Sequence, residues 1–271
     1  MDKTLVKGLA VLEALAKSDR PRGITEVSQE LGMTKSNVHR FVQTLSECGY
    51  IKQDHESGRY LPTLKAWEIG YEVLSRSALK RAFSTYAEDL ARRTGQLVHV
   101  TVVSGDEFLF MEQIGAPNPH PLRRWPIGGK MKFWDFLPGG HDLVAIQLAY
   151  MATLASVQQK WLLNKIDEES HHTVTSKDLL KRIDKTRKRG YAINQGEWHE
   201  AVRGSAATFF YANGEAAGVL GLMAQSDAVS MADLEKWGKT NKECADAISY
   251  ALGLRSTFKT LRKDKQTVVV K

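Results

Sequence analysis

Near the start of the chain, the spacing of the apolar residues predicts two successive helices, followed by two short extended segments. The first helix has Val27 and Leu31 on one face, begins at Thr25 as its N-cap and ends in a turn at Gly32. The second helix begins after Thr34, and four apolar residues recur along it at the spacing of one buried stripe. They are Val38, Phe41, Val42 and Leu45.

A hairpin is predicted after the second helix. Gly49 ends that helix, and residues 50–53 and 59–61 flank a polar turn at 54–58. Upstream, an amphipathic helix supplies the third helix that a small core needs. Its apolar residues are Leu5, Leu9, Val11, Leu12 and Leu15. Helices, glycine turn and ribbon in this order predict a winged helix-turn-helix over residues 1–62.

The second helix of this motif presents polar side chains opposite its apolar stripe, at about 100° per residue. Hydroxyl, amide, imidazole and guanidinium groups suit base edges and phosphates. We therefore predict that DNA is contacted by Arg22, Thr34, Lys35, Ser36, Asn37, His39, Arg40, Gln43, His55, Ser57 and Arg59. The alternative is a small helical core with a polar outer face.

A linker helix is predicted over residues 63–76. Its apolar residues recur at intervals of three and four, which is the pattern of a coiled-coil seam. They are Leu64, Trp67, Tyr71, Leu74 and Ala78. The seam indicates either a dimer contact or packing of the helix on its own domain.

The rest of the chain predicts a larger domain, 77–258, in which helices flank a mainly antiparallel sheet. Helices are expected at 77–94, 141–155, 157–164, 176–190 and 231–254, and strands at 97–103, 107–114, 191–194, 206–211 and 217–224. Ser176 is expected to cap its helix and Leu180 to be buried. Residues 115–130 are expected to form a loop and 259–271 a basic tail. The fold class is α/β, in the α+β arrangement, and such a sheet commonly holds a small molecule.

The charge distribution does not by itself indicate DNA binding. The net charge of the chain is +7, but residues 1–75 contain ten Lys or Arg and ten Asp or Glu. Phosphate affinity per monomer is therefore expected to be modest, and dimerisation is expected to raise it. Two cysteines, the lack of an apolar run long enough for a membrane and a start unlike a signal peptide favour a cytoplasmic protein with reduced thiols.

The motifs of common catalytic and metal sites are missing from the sequence: HExxH, CxxC, GxSxG, GxGxxG and the P-loop. A set of Ser205, His199 and a neighbouring glutamate can be drawn for acyl transfer, but no spacing fixes its geometry. We expect no enzyme activity, no metal and no cofactor. The alternative is a hydrolase or transferase that carries an accessory DNA-binding domain.

Five segments of the chain resemble the IclR family of transcriptional regulators. They are LVKGLAVLEALA, ITEVSQELGMTKSNVHRFVQTLSECGYI, RYLPTLKAWEIG, RKRGYAINQGEW and VRGSAATFFYANGEAAGVLGL, and their order covers nearly all of the chain. The resemblance implies a winged helix domain, a linker helix and an effector domain similar to GAF and PAS sensors. It also implies homodimers or homotetramers, repression of catabolic or efflux operons, and small organic or aromatic acids as effectors.

The chain departs from the family pattern where the effector pocket is expected. MKFWDFLPGGHDLVAIQ stands in place of a run like LHATAxGKALLA, and Gly204-Ser205 in place of a frequent cysteine. We predict an aromatic wall in which Trp134 stacks on the ligand, with Asp135 as acceptor and Arg203 as partner of a carboxylate. The predicted pocket residues are Phe133, Trp134, Asp135, Phe136, Leu137, Arg203, Gly204, Ser205 and Leu222. The alternatives are core packing, a turn cap and a structural ion pair.

These features together predict a sequence-specific DNA-binding regulator, more specifically a repressor, that is controlled by a small-molecule effector in the second domain. An aromatic compound is one candidate for this effector. A DNA-binding scaffold without a ligand is a further alternative.

Overall fold

The computed structural model describes residues 2–115, 127–135, 144–168, 175–197 and 199–255. The chain divides into two units, residues 1–77 and 78–271. Within the described residues, no helix combines the length and the apolar character needed to cross a membrane.

The first unit consists of three helices, a two-stranded ribbon and a fourth helix. These are α1 (Lys3–Ala16), α2 (Ile24–Leu31), α3 (Lys35–Glu47), β1 (Ile51–Gln53), β2 (Tyr60–Pro62) and α4 (Lys65–Arg76). Gly32 ends α2 with φ at 61°, and Thr34 caps α3 by accepting a hydrogen bond from the Asn37 N–H, as the sequence predicted. The predicted cap of α2 was wrong. Gly23 is the N-cap, because its extended backbone precedes Ile24 and leaves Thr25 inside the helix.

The core of this unit lies between α1, α2, α3 and β1. Its buried apolar residues are Val11, Ala14, Leu15, Val27, Val38, Phe41, Val42 and Ile51. The prediction for the start of α1 was wrong, since Leu5 is 63% exposed and Leu9 is 50% exposed. These leucines lie roughly 120° and 160° around the helix axis from Val11. They therefore belong to another face than the one that packs on α2 and α3.

The linker helix α4 has no buried residue within the described chain. Most of its apolar side chains are exposed, among them Trp67 at 62% and Tyr71 at 53%, and so is Leu64 at 72% just before the helix. The predicted seam is shorter than expected. Ser77 is extended, with φ at −68° and ψ at 119°, so Ala78 starts the next helix instead of continuing α4.

The second unit is a six-stranded antiparallel sheet with helices on both faces. The strands are β3 (Leu97–Ser104), β4 (Glu107–Ile114), β5 (Lys130–Lys132), β6 (Ala192–Asn194), β7 (Val202–Phe210) and β8 (Ala216–Gln225), in the order β5-β4-β3-β8-β7-β6. One face packs on α5 (Ala78–Thr94) and α9 (Met231–Ala251). The other packs on α6 (Ala145–Met151), α7 (Ser156–Glu168) and α8 (Ser176–Arg189).

Several predicted bounds in this unit were wrong. Strand β7 begins at Val202 instead of residue 206, and β5 was not predicted. Thr175 caps α8 in place of Ser176, and Leu180 is 40% exposed because it faces away from the Leu179 and Ile183 stripe. The predicted loop at 116–126, the first residues of the helix at 141–155 and the tail lie outside the described residues.

The sheet requires a glycine at position 218. A Cβ there would lie 2.1 Å from the Thr101 carbonyl oxygen and 2.5 Å from Cζ of Phe209, and a backbone oxygen in a paired strand cannot withdraw. We expect Gly218→Ala to destabilise the second unit by about 2 kcal/mol or more. Urea unfolding followed by tryptophan fluorescence measures the loss.

The matched control is Gly70→Ala in α4, where a Cβ meets nothing within 4 Å. This change is expected to be neutral or to stabilise its helix by up to about 1 kcal/mol. Equal stability of the Gly218→Ala variant and the wild type would contradict the close strand contact.

Candidate nucleic-acid interface and ligand cavity

The buried stripe of α3 determines which side of this helix faces solvent. Val38 is 0% exposed and Val42 is 2% exposed, and both pack in the core of the first unit. Ser36, His39, Arg40 and Gln43 are exposed on the other side, which confirms their predicted orientation. This side of α3 is therefore open to solvent, and a DNA groove is wide enough to admit it.

The start of α3 is arranged to receive an anion. Thr34 and Lys35 are exposed, Asn37 is half-buried behind the cap, and the first turn contains no acidic residue. Backbone N–H groups and the helix dipole favour negative charge at such an end. Further along the same face, Gln43 donates to Glu47 at 3.1 Å, so its amide is partly engaged within the helix.

Two of the predicted DNA-contacting cations are held by carboxylates of the same unit. Arg22 pairs with Glu30 at 2.5 Å, and its side chain is only 16% exposed. Arg59 on the ribbon pairs with Glu26 at 2.9 Å. Desolvation opposes ionisation of Glu26, but the hydrogen bond and charge of Arg20 and the charge of Arg59 lower its pKa. To contact DNA as predicted, Arg22 and Arg59 would first have to leave these ion pairs.

The tip of the ribbon is ordered by Asp54. Its carboxylate accepts hydrogen bonds from the Ser57 hydroxyl at 2.5 Å and the Ser57 N–H at 2.9 Å. These two bonds lower the pKa of Asp54. Ser57 is thus engaged in the turn, whereas His55 extends from it as an exposed side chain.

A mainly apolar cavity lies in the second unit between α6 and the sheet. It spans about 490 Å³, including its opening to solvent. Apolar side chains from strands β4, β5, β7 and β8 and from the start of α6 form most of the wall, and the polar members are His99, Asn194 and Ser205. The lining residues are His99, Phe110, Met131, Val144, Ala145, Ile146, Asn194, Val202, Gly204, Ser205, Gly221, Leu222 and Met223.

Three of the predicted pocket residues line this cavity: Gly204, Ser205 and Leu222. A Cβ at position 204 would lie 2.6 Å from the Leu222 carbonyl oxygen, so glycine is needed for the close pairing of β7 and β8. The Ser205 hydroxyl accepts a hydrogen bond from Asn241 at 3.3 Å. An acyl-transfer set would require a hydrogen bond between Ser205 and His199, but the partner of the Ser205 hydroxyl is the Asn241 amide.

The predicted aromatic wall is not part of this cavity. The ring of Phe133 packs 4.8 Å from the ring of Phe108 and 4.4 Å from that of Tyr150. Trp134 packs edge-on against Trp161 at 5.3 Å. Both rings belong to the core on the α6 face of the sheet, which corrects the stacking role predicted for Trp134. Phe136 and Leu137 lie outside the described residues.

Asp135 and Arg203 also have structural partners in place of the predicted ligand contacts. The Asp135 carboxylate accepts from the Lys132 N–H at 3.2 Å and closes a turn. Arg203 donates through Nη1 to the Val229 carbonyl oxygen. Neither residue lines the cavity. Its described wall therefore contains neither the predicted acceptor, Asp135, nor the predicted partner of a ligand carboxylate, Arg203.

His99 is a cavity residue that the sequence prediction missed. It is 3% exposed on β3, and Gln113 places its side-chain nitrogen 3.4 Å from Nδ1. Nε2 is buried and has no hydrogen-bond partner among the described residues. Burial alone lowers the pKa of His99 to about 4, so the ring is neutral at pH 7. In the sequence, the only sign of this residue was a polar side chain among the valines of a predicted strand.

Two family models match separate parts of the chain: the IclR helix-turn-helix domain over residues 4–55 and the bacterial transcriptional regulator IclR C-terminal domain over residues 71–250. The chain belongs to the IclR family. This IclR-family protein is a DNA-binding transcriptional regulator with a C-terminal effector domain, as its sequence predicted.

Individual relatives agree with the family assignment. The chain is 29% identical over 211 residues to the HTH-type transcriptional regulator KdgR of Escherichia coli K12, which is 76% of each protein. It is 27% identical over 213 residues to the transcriptional repressor IclR of the same organism, covering 77% of this chain and 74% of the relative. Its fold matches an IclR homolog from Microbacterium hydrocarbonoxydans complexed with 4-hydroxybenzoate, with a TM-score of 0.70, 16% identity and coverage of 92% and 99%.

Among the described residues, no group of three or more His, Cys, Asp or Glu side chains is placed to hold a metal ion. His199, considered above for acyl transfer, accepts the Ala201 N–H at Nδ1 over 3.2 Å.

The buried neutral state of His99 predicts a specific pH dependence of stability. The pKa of His99 is about 4 in the folded chain, whereas that of an ordinary histidine is 6.5. Between these values the unfolded chain binds a proton that the folded chain does not, so stability falls as the pH falls from 6.5 to 4. The expected loss is about 3 kcal/mol. Urea unfolding of the second unit at several pH values measures it.

His99→Leu is the control, since it removes the titrating ring and keeps an apolar side chain. The variant is expected to show a shallower slope above pH 4. The hydrogen bond to Arg92 lowers the pKa of Asp89, so protonation of carboxylates such as this one reduces the stability of the protein mainly below that pH window. Identical slopes for both proteins would show that His99 does not titrate as inferred.

Proposed function

We propose that this IclR-family protein is a repressor that binds operator DNA as a homodimer or homotetramer and whose affinity is controlled by a small molecule in the cavity of the second unit. The observation that carries the DNA-binding part is the outward polar face of α3 over its buried stripe. The proposed division is DNA binding by residues 1–62, linkage by 63–76 and effector binding by 77–258. The residues after 258 lie outside the described chain.

In this proposal, α3 enters the major groove and reads base edges with Ser36, His39, Arg40 and Gln43. Thr34, Lys35 and Asn37, at the start of the helix, contact phosphate, and His55 reaches the backbone beside the groove. Two copies would read half-sites about one helical turn, roughly 34 Å, apart or a multiple of it. Because residues 1–75 have no net charge from Lys, Arg, Asp and Glu, one copy binds phosphate weakly.

The proposed dimer contact is the apolar side of α4. Trp67 and Tyr71 stack at 5.2 Å between ring centroids on one side of this helix, and both are exposed within the described chain. A helix with no buried residue gains little from its own unit, so burial of this side against a second copy supplies the missing apolar contact. Paired recognition helices then bind DNA with the combined strength of two sites.

Control by an effector follows from the cavity. A ligand shifts an equilibrium between DNA-binding and non-binding states only by the difference in its affinity for them. A full reversal of occupancy needs a difference on the order of 5 kcal/mol. The complex of the Microbacterium homolog with 4-hydroxybenzoate supports a small aromatic compound as the kind of molecule that fits this domain.

Arg40→Ala is expected to lower affinity for the selected DNA roughly 5- to 150-fold, since it removes a base or phosphate contact of about 1–3 kcal/mol. The DNA is obtained by repeated selection with the wild-type protein from random double-stranded oligonucleotides. Fluorescence anisotropy at fixed salt measures binding. Arg92→Ala, which removes an exposed arginine from the second unit, is the control and should bind as the wild type does. Lack of any enriched sequence would refute the proposed function.

The α4 contact is tested by Trp67→Glu. A charge in an apolar seam is expected to shift the protein towards monomer in sedimentation velocity and to weaken DNA binding at least tenfold, because a paired site is lost. Ala66→Glu introduces the same charge roughly 100° around the helix and is the control. An unchanged oligomer in the Trp67→Glu variant would place the dimer contact elsewhere.

A further inference from the structure

His99 holds a hydrogen-bonding atom without a partner in the wall of the ligand cavity. We propose that the effector of this protein is an uncharged carbonyl compound with an apolar body, and that its oxygen accepts a hydrogen bond from Nε2–H of His99. This inference rests on the proposed role of the cavity as the effector site. It replaces the organic acids implied by the family resemblance with neutral hydrogen-bond acceptors as the effector class.

The tautomer of His99 follows from its neighbour on the next strand. His99 and Gln113 are paired across β3 and β4, and the side-chain nitrogen of Gln113 lies 3.4 Å from Nδ1. An amide nitrogen donates and does not accept, so with the Gln113 amide in this orientation Nδ1 is the acceptor of the bond. In a neutral ring the proton is then on Nε2. Nε2 has no partner among the described residues.

An unmet donor in such a place points to a ligand. Buried polar groups are nearly always hydrogen-bonded in native proteins, and each exception needs an explanation. His99 is 3% exposed and lines the cavity together with Phe110, whose ring lies edge-on to it at 6.2 Å. Nε2 has almost no surface open to solvent, so a ligand oxygen in the cavity satisfies Nε2–H only after the His99 ring or a neighbouring wall side chain shifts slightly.

The charge of the described wall argues for a neutral ligand. His99 is its only ionisable residue, and burial lowers the pKa of that ring to about 4, with no charged neighbour among the causes. The wall therefore carries no cation near pH 7. A carboxylate there would lose its hydration without an opposite charge, which is costly for a buried ion. A ketone, ester or amide oxygen needs only a donor.

The other residues of the wall indicate the polarity and size of the rest of the ligand. Met131, Ile146 and Leu222 contribute apolar surface, and Gly204 and Gly221 add none beyond their backbone. The Ser205 hydroxyl already accepts from Asn241. A compact apolar group with one acceptor oxygen matches this distribution better than a polyol or a sugar acid, which would bring many hydroxyl groups to an apolar surface.

The experiment compares ligands that differ only in a methyl group and a charged oxygen. The pairs are acetophenone with benzoate, cyclohexyl methyl ketone with cyclohexanecarboxylate, and 2-pentanone with butyrate. Binding to the full-length protein is measured at pH 7.5 by isothermal titration calorimetry, with 13C-labelled histidine NMR to detect contact with His99. At least one ketone is expected to bind, to shift the His99 ring signal, and to bind at least about tenfold more tightly than its acid.

Variants of His99 separate the hydrogen bond from the shape of the cavity. His99→Leu removes the donor and is expected to weaken ketone binding about tenfold, while His99→Gln keeps an N–H donor and stays within about threefold of the wild type. His199→Leu, which changes a histidine outside the cavity wall, is the control and leaves binding unchanged. Thermal unfolding verifies that each variant is folded.

The results that overturn the proposal are distinct from those that overturn the proposed function. Tighter binding of the acids, or ketone binding unaffected by His99→Leu, refutes the neutral-acceptor inference but leaves the cavity as the effector site. Binding of neither class refutes both the inference and the assigned cavity, whereas selection of operator DNA still tests the regulator independently.

Discussion

The rotation of α3 about its own axis is the constraint on which DNA recognition in this chain depends. Burial of Val38, Phe41 and Val42 against α1, α2 and β1 fixes that rotation, and each such side chain contributes about 1.5–3 kcal/mol. A helix of 13 residues is marginal by itself in water. The polar face therefore has a defined direction only because the apolar face has a defined place, and changes in this small core would misdirect the recognition side chains without touching them.

In the second unit the corresponding constraint is the close pairing of β7, β8 and β3. The central strands are buried on both faces, so their backbone groups pair mainly with each other, and glycines admit the closest contacts. Gly204 and Gly221 also line the cavity, and a Cβ at 221 would lie 3.0 Å from Cγ1 of Ile146 on α6. Gly204 thus serves both the close pairing of β7 with β8 and the cavity wall, and Gly221 admits the close approach of α6 to the sheet.

The sequence predicted the features that depend on local periodicity and missed those that depend on distant partners. The α3 stripe, the Thr34 cap and the strand pairs followed from spacing alone. Spacing does not identify partners, so the pairing of Arg59 with Glu26, 33 residues away, was not foreseen. The aromatic run at 133–134 was assigned to a ligand, although its rings fill the core with Tyr150 and Trp161. His99 acquires its character from burial and from Gln113, neither of which a single strand reveals.

The energetics of the cavity limit how an effector can act on DNA binding. One net hydrogen bond to His99 contributes on the order of 1 kcal/mol, whereas reversal of an occupied operator needs on the order of 5 kcal/mol of differential affinity. The remainder has to come from apolar contacts that differ between the two states. Most of the wall is on strands held in the hydrogen-bonded ladder, which changes little. Val144, Ala145 and Ile146 are at the start of the short helix α6. This helix start is therefore the part of the wall whose contacts with a ligand can differ enough between states to control the repressor.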